Sequence, residues 1–267
     1  MKKPIITLLT DFGLKDSYVA EMKGTILSIC PQANIVDITH EIEKFNIKMG
    51  AYILASSAPH FPKGTIHVAV VDPGVGTKRR PIILRGTHSI YVGPDNGLLA
   101  LSAMREGIEG AYLIDNPRYM AERTSKTFHG RDVFSRVAAY MAMGVPIRDF
   151  GPKIDDFTKP SFSIPRCEGR MLIGEVLYVD DFGNVITNFT LKDLEKLGIS
   201  LGMPLSICMP SKKFNLKFCS TYGDVPKGEG LVLIGSGGFL EVSVISLSAI
   251  IKIQYACLSE RPTLPLN

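Results

Sequence analysis

The chain has 267 residues, of which 45% are hydrophobic, 21% charged and 8% aromatic, a composition typical of globular proteins rather than disordered ones. Its 30 basic and 26 acidic residues leave a net charge of +4, which is too small to indicate a nucleic-acid partner. No segment approaches the roughly 18 uninterrupted apolar residues of a membrane span, and the apolar run near the start is too short for a signal peptide. We therefore expect a globular protein of one large or two modest domains, without a nucleic-acid or membrane partner.

The chain contains five cysteines, an odd number, and no two of them have the C-x2-C spacing of a zinc site. Four of the five lie in apolar or strand-like segments, where a thiol behaves as a small hydrophobic group. We therefore expect buried free thiols, a reducing cytoplasmic environment and no structural metal. The cysteines are Cys30, Cys167, Cys208, Cys219 and Cys257.

The first 150 residues alternate short apolar runs, which predict strands, with amphipathic segments, which predict helices. Such alternation favours an N-terminal α/β domain with a largely parallel, Rossmann-like sheet that is covered on both faces. In chain order we predict a strand at 5–9, a helix at 16–29, a strand at 34–39, a helix at 46–58, strands at 65–71, 82–84 and 90–92, and a helix at 131–143.

Residues 151–166 contain three prolines and no apolar periodicity, which predicts a linker. Many short strands with glycine-bearing turns follow, and they favour a small C-terminal β-barrel or sandwich over residues 167–267. A short helix at 191–197 interrupts the strands, and Thr190 and Asp193 have the spacing that caps a helix. The predicted strands lie at 171–179, 185–189, 203–209, 214–219, 231–234, 239–245 and 249–256.

Two predicted strands of the first domain end in an aspartate that is followed by glycine. Asp11 begins the sequence DFG after the first strand, and Asp72 begins DPGVGT after the third. Ligands of open parallel sheets bind beyond the carboxyl ends of the strands, and glycine lets the backbone approach a ligand closely. Each aspartate alone also fits a turn or a helix cap, but their coincidence at one sheet edge favours a binding site.

Other polar residues have both a functional and a structural interpretation. Arg79 lies seven residues after Asp72 and could fold back to pair with it, or it could belong to a solvated basic turn. His129 precedes a predicted helix between an aromatic residue and a glycine, which suits either a ligand site or a structural histidine. In the second domain, Asn184 could read an adenine or form an Asx turn, and the GSGGF loop at 235–239 could hold an anion.

The combined motifs resemble those of the SAM hydroxide adenosyltransferases, the adenosine-forming S-adenosyl-L-methionine (SAM) hydrolases, which are related to fluorinating and chlorinating enzymes that use SAM. The resemblance extends from Lys3 to Tyr255 and covers both domains. It implies an N-terminal α/β domain, a C-terminal β-barrel and a homotrimer whose substrate lies between the N-terminal domain of one subunit and the C-terminal domain of the next. The motifs are TDFG at 10–13, DSYV at 16–19, DPGVGT at 72–77, GPDNG at 93–97, TFHGRD at 127–132 and DFGN at 181–184.

The resemblance also implies a reaction, in which water or hydroxide attacks the ribose C5′ of SAM, displaces methionine and releases adenosine, with no cofactor. It assigns water activation to Asp72, Arg79 and His129 and leaves open whether Asp72 or His129 is the base. It assigns the ribose hydroxyls to Asp11 and the adenine to Asn184. The remaining implied contacts are Asp16 and Ser236 at the methionine amino group, the rings of Phe45, Phe128 and Phe182, and Gly130, Asp180, Val244 and Ser246.

Two positions separate this chain from the halogenating relatives. Gly130 stands where they have a serine that holds the halide, and Asp72 stands where they have a tyrosine. Since a carboxylate beside the nucleophile repels a halide but accepts a hydrogen bond from water, the substitutions favour hydrolysis. Gly237 stands where the halogenases place an arginine for the methionine carboxylate, so the sequence does not assign that contact.

The sequence also bears on four alternatives to metal-free hydrolysis of SAM. A SAM-dependent halogenase is disfavoured by the two substitutions, whereas a protein that binds SAM or adenosine without turnover is not excluded by the sequence. A nicotinamide oxidoreductase predicts G-x-G-x-x-G after the first strand, and DFGLKD at 11–16 does not supply it. A metal-dependent hydrolase predicts histidines paired with histidine or acidic residues at i, i+4 spacing, and no histidine of the chain has such a neighbour.

Overall fold

The computed structural model describes residues 3–169, 171–208, 213–244 and 255–260. The chain divides into two units between Pro160 and Ser161, each with its own mixed β-sheet, so the protein is an α/β protein with two domains. The division falls inside the segment 151–166, the predicted linker, whose first ten residues belong to the first unit.

The first unit contains a seven-stranded sheet with helices between the strands. Its strands are β1 (Ile5–Thr10), β2 (Asn34–Thr39), β3 (Ile66–Val70), β4 (Pro81–Gly86), β5 (Ile90–Pro94), β6 (Ile108–Leu113) and β7 (Lys153–Ile154). Its helices are α1 (Tyr18–Ile29), α2 (Ile47–Ser57), α3 (Ala100–Glu106) and α4 (Arg136–Ala142), and a π-helical segment at Gly130–Ser135 leads into α4.

The strand order of this sheet is β2-β1-β3-β5-β4-β6-β7. Its first four strands are parallel, but β4 is antiparallel to both β5 and β6, and β7 is antiparallel to β6. The prediction of a largely parallel sheet therefore holds for the pairing of the first four strands, whereas every pairing that involves β4, β6 or β7 is antiparallel. Only residues 87–89 join β4 to β5, which is too short for the crossover that a parallel connection needs.

Buried apolar residues explain why the central elements form. All residues of β1 after Ile5 are buried, as expected for a strand with both faces covered. Helix α1 turns Val19, Met22 and Ile26 inward at the spacing of one helix face. Asn46 caps α2, since its side chain accepts a 3.0 Å hydrogen bond from the Met49 amide.

Several elements differ from the sequence prediction. Helix α1 begins at Tyr18 rather than at Asp16. The helix predicted at 131–143 is split into the π-helical segment and α4. Helix α3 and strand β6 were not predicted, because α3 has only seven residues and a left-handed Gly107, with φ of 94°, joins the two directly.

The elements of the second unit are β8 (Arg166–Glu168), β9 (Met171–Val179), β10 (Val185–Thr187), α5 (Leu191–Lys196), β11 (Pro204–Cys208), β12 (Lys213–Phe218), β13 (Gly230–Ile234), β14 (Leu240–Val244) and β15 (Tyr255–Glu260). Its eight strands form a mixed sheet with the order β10-β14-β13-β12-β11-β15-β9-β8. The sheet curls, because β10 pairs with β9 as well as with β14. The predicted cap of α5 is confirmed: the Asp193 carboxylate accepts hydrogen bonds from the Thr190 amide and hydroxyl at 2.9 and 2.7 Å.

Cys30, Cys167, Cys208 and Cys219 are free thiols. Cys30 and Cys219 are buried as predicted, but Cys167 is exposed, because it lies in the three-residue edge strand β8, which is exposed throughout. Within the described ranges, no helix is both long and apolar enough to cross a membrane.

Candidate active site

A cavity of about 330 Å³ opens in the first unit, at the carboxyl ends of β1 and β3. This is the edge at which the sequence analysis expected a ligand. The cavity lining also includes residues that the sequence analysis did not single out, among them Phe12, Tyr18, Lys44 and Thr127. The predicted site residues that line it are Asp11, Asp16, Phe45, Asp72, Phe128, His129 and Gly130.

Asp11 follows β1 directly and is only 5% exposed. One carboxylate oxygen accepts a 2.9 Å hydrogen bond from the Phe45 amide, and the Lys44 ammonium donates to the Asp11 carbonyl oxygen. Phe45 adopts a left-handed backbone, with φ of 65°, which is uncommon for a residue other than glycine. An ionised carboxylate accepts up to about four hydrogen bonds, so Asp11 retains acceptor capacity for a ligand at the cavity wall.

A hydroxyl–imidazole–carboxylate row, buried at Thr10 and His40 and exposed at Asp37, holds the chain around Asp11. The Thr10 hydroxyl lies 2.8 Å from His40 Nδ1, and His40 Nε2 lies 3.1 Å from the Asp37 carboxylate. The same hydroxyl accepts from the Phe12 amide at 3.2 Å. Because Thr10 is fully buried, this row positions the backbone and does not present a nucleophile.

This row was not predicted from the sequence, in which His40 simply follows the strand predicted at 34–39. The signal that identifies it is the parallel pairing of β1 with β2, which brings the ends of both strands to one edge. The His40 carbonyl oxygen accepts a 2.8 Å hydrogen bond from the Gly13 amide. The row therefore fixes the segment on both sides of Asp11.

Arg79 contacts both Asp72 and His129, the other two residues to which the resemblance assigns water activation. Arg79 Nε donates to Asp72 Oδ1 at 3.1 Å and Nη2 donates to Oδ2, and the Arg79 and Asp72 side chains are 7% and 5% exposed. Arg79 Nη2 also lies 3.1 Å from His129 Nδ1. Arg79 therefore does fold back onto Asp72, and the alternative of a solvated basic turn is wrong for this residue.

The contact with Arg79 determines which nitrogen of His129 carries the proton. A guanidinium has only donors, so His129 Nδ1 accepts from Arg79, and the neutral ring is protonated on Nε2. Burial lowers the pKa of His129, and the Arg79 charge lowers it further, against the opposing effect of Asp72 and Asp132. His129 is therefore neutral at neutral pH and offers a donor, not an acceptor, at Nε2.

Three aromatic rings form one wall of the cavity. The centroids of Phe12 and Phe128 are 5.8 Å apart, and Tyr18 lies 5.7 Å from Phe12 and 5.2 Å from Phe128. A Cβ at Gly130 would lie 3.3 Å from both the Met22 sulfur and the Phe128 ring, and 3.4 Å from Phe12. A side chain at position 130 would therefore press against Met22 and this ring cluster, which would have to move by a few tenths of an ångström.

In the second unit, Asp180 organises the turn that precedes β10. One carboxylate oxygen accepts from the Phe182 and Asn184 amides at 2.9 Å, and the other accepts from Asn184 Nδ2 at 2.9 Å. The Phe182 side chain is 88% exposed. The predicted turn is present, but Asp180 and not Asn184 forms its Asx turn. The Asn184 side-chain amide, which the resemblance assigned to adenine, donates to Asp180 and is oriented by that bond.

The glycine-rich loop at 235–239 is closed on itself, since the Gly235 amide donates to the Phe239 carbonyl at 2.9 Å. Beneath it lies Glu241, 7% exposed, whose carboxylate accepts from the Tyr222 and Ser243 hydroxyls. Ser236 is part of this loop. Val244 ends β14, and Ser246 lies outside the described residues.

No group of three or more histidine, cysteine, aspartate or glutamate side chains is placed to hold a metal ion in the part of the chain that the structure describes. The Asp72, Arg79 and His129 cluster pairs a cation with one carboxylate and one imidazole. Such a set is suited to binding and orienting a small polar molecule.

Two family models match the chain. The model described as the SAM hydroxide adenosyltransferase N-terminal domain matches residues 6–151, and that described as the C-terminal domain matches residues 174–255. An (R)-S-adenosyl-L-methionine hydrolase of Salinispora arenicola is 38% identical, over 90% of each chain. A fluorinase of Nocardia brasiliensis is 30% identical, over 91% of this chain and 90% of its own. The crystal structure of an uncharacterized conserved protein from Thermotoga maritima superposes with a TM-score of 0.86 at 35% identity, over 96% of this chain and all of that one.

Proposed function

Because the chain belongs to the SAM hydroxide adenosyltransferase family, we propose that it hydrolyses SAM to adenosine and L-methionine. The observation that carries the proposal is the contact of Arg79 with both Asp72 and His129, beside the cavity that Asp11 lines. This cluster places a carboxylate and an imidazole N–H where a water molecule can be held.

The chemistry makes orientation the main requirement. SAM carries a sulfonium, so the C5′–S bond breaks with its electron pair on sulfur and methionine leaves as a neutral thioether. No general acid is needed at the leaving group. The nucleophile must lie in line with that bond, and such placement supplies roughly 7–11 kcal/mol of the barrier.

We assign the proton acceptor to Asp72 and the orientation of the water to His129. His129 Nδ1 is occupied by Arg79, so the neutral ring donates from Nε2 and holds the water by its oxygen. The Asp72 carboxylate keeps lone pairs beyond the two that Arg79 uses and accepts the proton as the oxygen bonds to C5′. Arg79 Nη1, buried and without a hydrogen-bond partner in the described ranges, is a further donor for the oxygen.

The cavity suits the other parts of SAM. The Asp11 carboxylate accepts the ribose hydroxyls, and Asp16 accepts the methionine ammonium. The rings of Phe45 and Phe128 line the cavity and cover the apolar parts of the substrate. In the second unit, Asn184, held by Asp180, reads the adenine. Further contacts in this proposal come from Phe182, Ser236, Val244 and Ser246.

Halogenation is the second candidate, because a fluorinase is 30% identical to this chain. Two observations weigh against it. The carboxylate of Asp72 repels a halide, and position 130 is a glycine, which has no hydroxyl to hold a halide.

Several further properties belong to the proposal. The parallel strands of the first sheet support a Rossmann-like description, and the pairing of β10 with β9 supports a closed β-barrel. We propose a homotrimer in which the first unit of one subunit and the second unit of the next form the substrate site together. We also propose a cytoplasmic location, supported by the four free thiols, and no cofactor, since SAM is the substrate.

The test is incubation of the purified protein with SAM in oxygen-18 water, followed by chromatography and mass spectrometry. We expect adenosine with the label on its 5′ oxygen, together with free methionine. Intact SAM retained by the protein would replace hydrolysis with binding, and a 5′-chloro or 5′-fluoro product in halide buffer would establish halogenation.

A further inference from the structure

The loop that carries His129 is closed by Asp132, a residue outside the cavity lining. Its carboxylate accepts a 2.7 Å hydrogen bond from the Ser125 amide. The Asp132 amide donates to the Phe128 carbonyl at 3.1 Å, and the Asp132 carbonyl accepts from the Ala121 amide at 2.9 Å. These bonds tie both ends of the 125–132 loop together, and its cavity-lining residues 127–130 lie between the tied ends.

Arg131 holds the Asp132 carboxylate in place. Its Nε and Nη2 donate to the two oxygens of Asp132 at 2.6 and 3.1 Å, a bidentate geometry that fixes direction as well as distance. Its Nη1 donates to Glu21 on α1 at 2.8 Å, and its guanidinium lies 5.0 Å from the Phe128 ring centre. The ion pair therefore connects the loop, the π-helical segment and α1.

The Asp132 carboxylate is 6% exposed, so its charge acts with little screening by water. Burial tends to raise its pKa, but hydrogen bonds from Arg131 and Ser125 outweigh this and hold it below the usual range. The charged groups that act on His129 are Arg79, which lowers its pKa, and Asp72 and Asp132, which raise it.

We infer that the Arg131–Asp132 ion pair is the positioning unit for His129: it closes the 125–132 loop and so fixes the imidazole against Arg79. This inference rests on the proposed hydrolase function. Neither residue touches the substrate in this assignment. Both act through His129, whose Nε2 direction toward the water depends on where the loop holds the ring.

The test compares Asp132→Asn, Arg131→Gln and the matched control Glu21→Gln. Asp132→Asn keeps an oxygen for the Ser125 amide but removes the charge, and Glu21→Gln removes only the outer, more exposed partner of Arg131. The pKa of His129 is read by NMR of histidine-labelled protein without substrate. SAM turnover then gives kcat and KM for the same proteins.

We expect Asp132→Asn to lower the pKa of His129, since Arg131 loses its counter-charge, and Arg131→Gln to raise it, since Asp132 is then unpaired. In both variants kcat falls about 10- to 100-fold while KM stays within about threefold. Glu21→Gln leaves the pKa, kcat and KM at their wild-type values.

Two results would overturn the inference. A pKa of His129 that rises in Asp132→Asn as well as in Arg131→Gln would show that unfolding of the whole 125–132 segment, and not displacement of the imidazole within a folded loop, causes the loss of turnover. An unchanged pKa with kcat within about twofold of wild type would show that the ion pair does not act on His129.

If Asp132→Asn does not fold, Arg131→Lys replaces it. Lysine restores the charge without the bidentate geometry, so the inference requires a wild-type pKa of His129 with a reduced kcat, and a raised pKa refutes it. Because the titration needs no SAM, failure of SAM hydrolysis in the wild-type protein would refute the proposed function and leave the titration as a separate test of the ion pair.

Discussion

His67 makes the stability of the first unit depend on pH. It lies in the middle of the sheet, fully buried, stacked on Tyr91 with ring centres 5.3 Å apart. Its Nδ1 lies 2.7 Å from the Thr7 hydroxyl, while its Nε2 is buried without a hydrogen-bond partner among the described residues. Burial, with a smaller contribution from the charge of His88, lowers its pKa from 6.5 to about 4.

The direction of this pH dependence follows from the difference in the pKa of His67 between the folded and the unfolded protein. Above pH 6.5 both the folded and the unfolded protein hold His67 neutral, and its contribution to stability is complete. As the pH falls, His67 binds a proton in the unfolded chain but not in the folded protein, so the free energy of unfolding decreases. With one pKa unit equal to about 1.4 kcal/mol, His67 alone removes about 2 kcal/mol by pH 5 and about 3 kcal/mol by pH 4.

The assay is amide hydrogen exchange of β3, because a chain of two units need not unfold in one step. We expect the pH dependence of the opening free energy to shrink by about 3 kcal/mol in His67→Gln between pH 7 and pH 4. His60→Gln, which removes an exposed histidine of the same unit, serves as the control and retains the wild-type dependence. Equal pH dependence in wild type and His67→Gln would refute the reasoning.

Three further predictions concern the cavity. Asp72→Asn lowers adenosine release at least about 100-fold with KM little changed, and full turnover in this variant would exclude Asp72 as the proton acceptor. Asp11→Asn lowers kcat/KM for SAM about 10- to 100-fold through loss of a charged hydrogen bond. With a 2′,3′-dideoxy analogue of SAM, the variant and the wild-type protein should have the same kcat/KM. An equal loss with the analogue would show that Asp11 does not bind the ribose hydroxyls. Gly130→Ser lowers the free energy of unfolding, measured by urea titration, by about 1–3 kcal/mol through crowding against Met22. The variant should also yield no 5′-chloro product in chloride. An unaltered free energy of unfolding would refute the argument that a side chain at position 130 is crowded.

Local patterns were enough to predict the elements whose causes are local. The apolar spacing of α1 and the cap of α5 at Thr190 need only neighbouring residues, and the structure confirms them. The antiparallel half of the first sheet was not predicted, because α3 is short and β6 follows it after one glycine. The direction of a strand depends on the length of its connections and on its distant partners, and the periodicity of hydrophobic residues gives no information about either.

In the candidate site, too, contacts between residues close in sequence could be predicted, and contacts between distant segments could not. Arg79 could be paired with Asp72 from sequence, because seven residues across a glycine turn bring them together. Its contact with His129, 50 residues further on, could not be predicted from local sequence, and the resemblance grouped the two residues only by their role. The row of Thr10, His40 and Asp37 stayed hidden because it depends on the register of β1 against β2.

Among the motifs that support the resemblance, GPDNG at 93–97 has a structural role in the first unit. The Asp95 carboxylate, 4% exposed, accepts from Arg80 at 2.6 Å and from the Thr158 amide at 2.7 Å. The Asn96 side chain donates to the Val71 carbonyl at 2.8 Å. That bond fixes the end of the strand directly before Asp72, so the motif supports the active-site carboxylate without lining the cavity.

The hydrogen bonds made by Asn96 and Asp132 fix the loops that carry the proposed catalytic residues. Asp72 and His129 come from separate loops, and each loop is tied by a hydrogen-bonded side chain from outside the cavity: Asn96 beneath the first and Asp132 behind the second. Because the sulfonium leaves as a neutral thioether, the reaction needs no acid at the leaving group, and much of the barrier depends on where the water is held. Since a misplacement of about 1 Å can cost about 100-fold in rate, the residues that fix these loops bear on turnover although they touch no substrate.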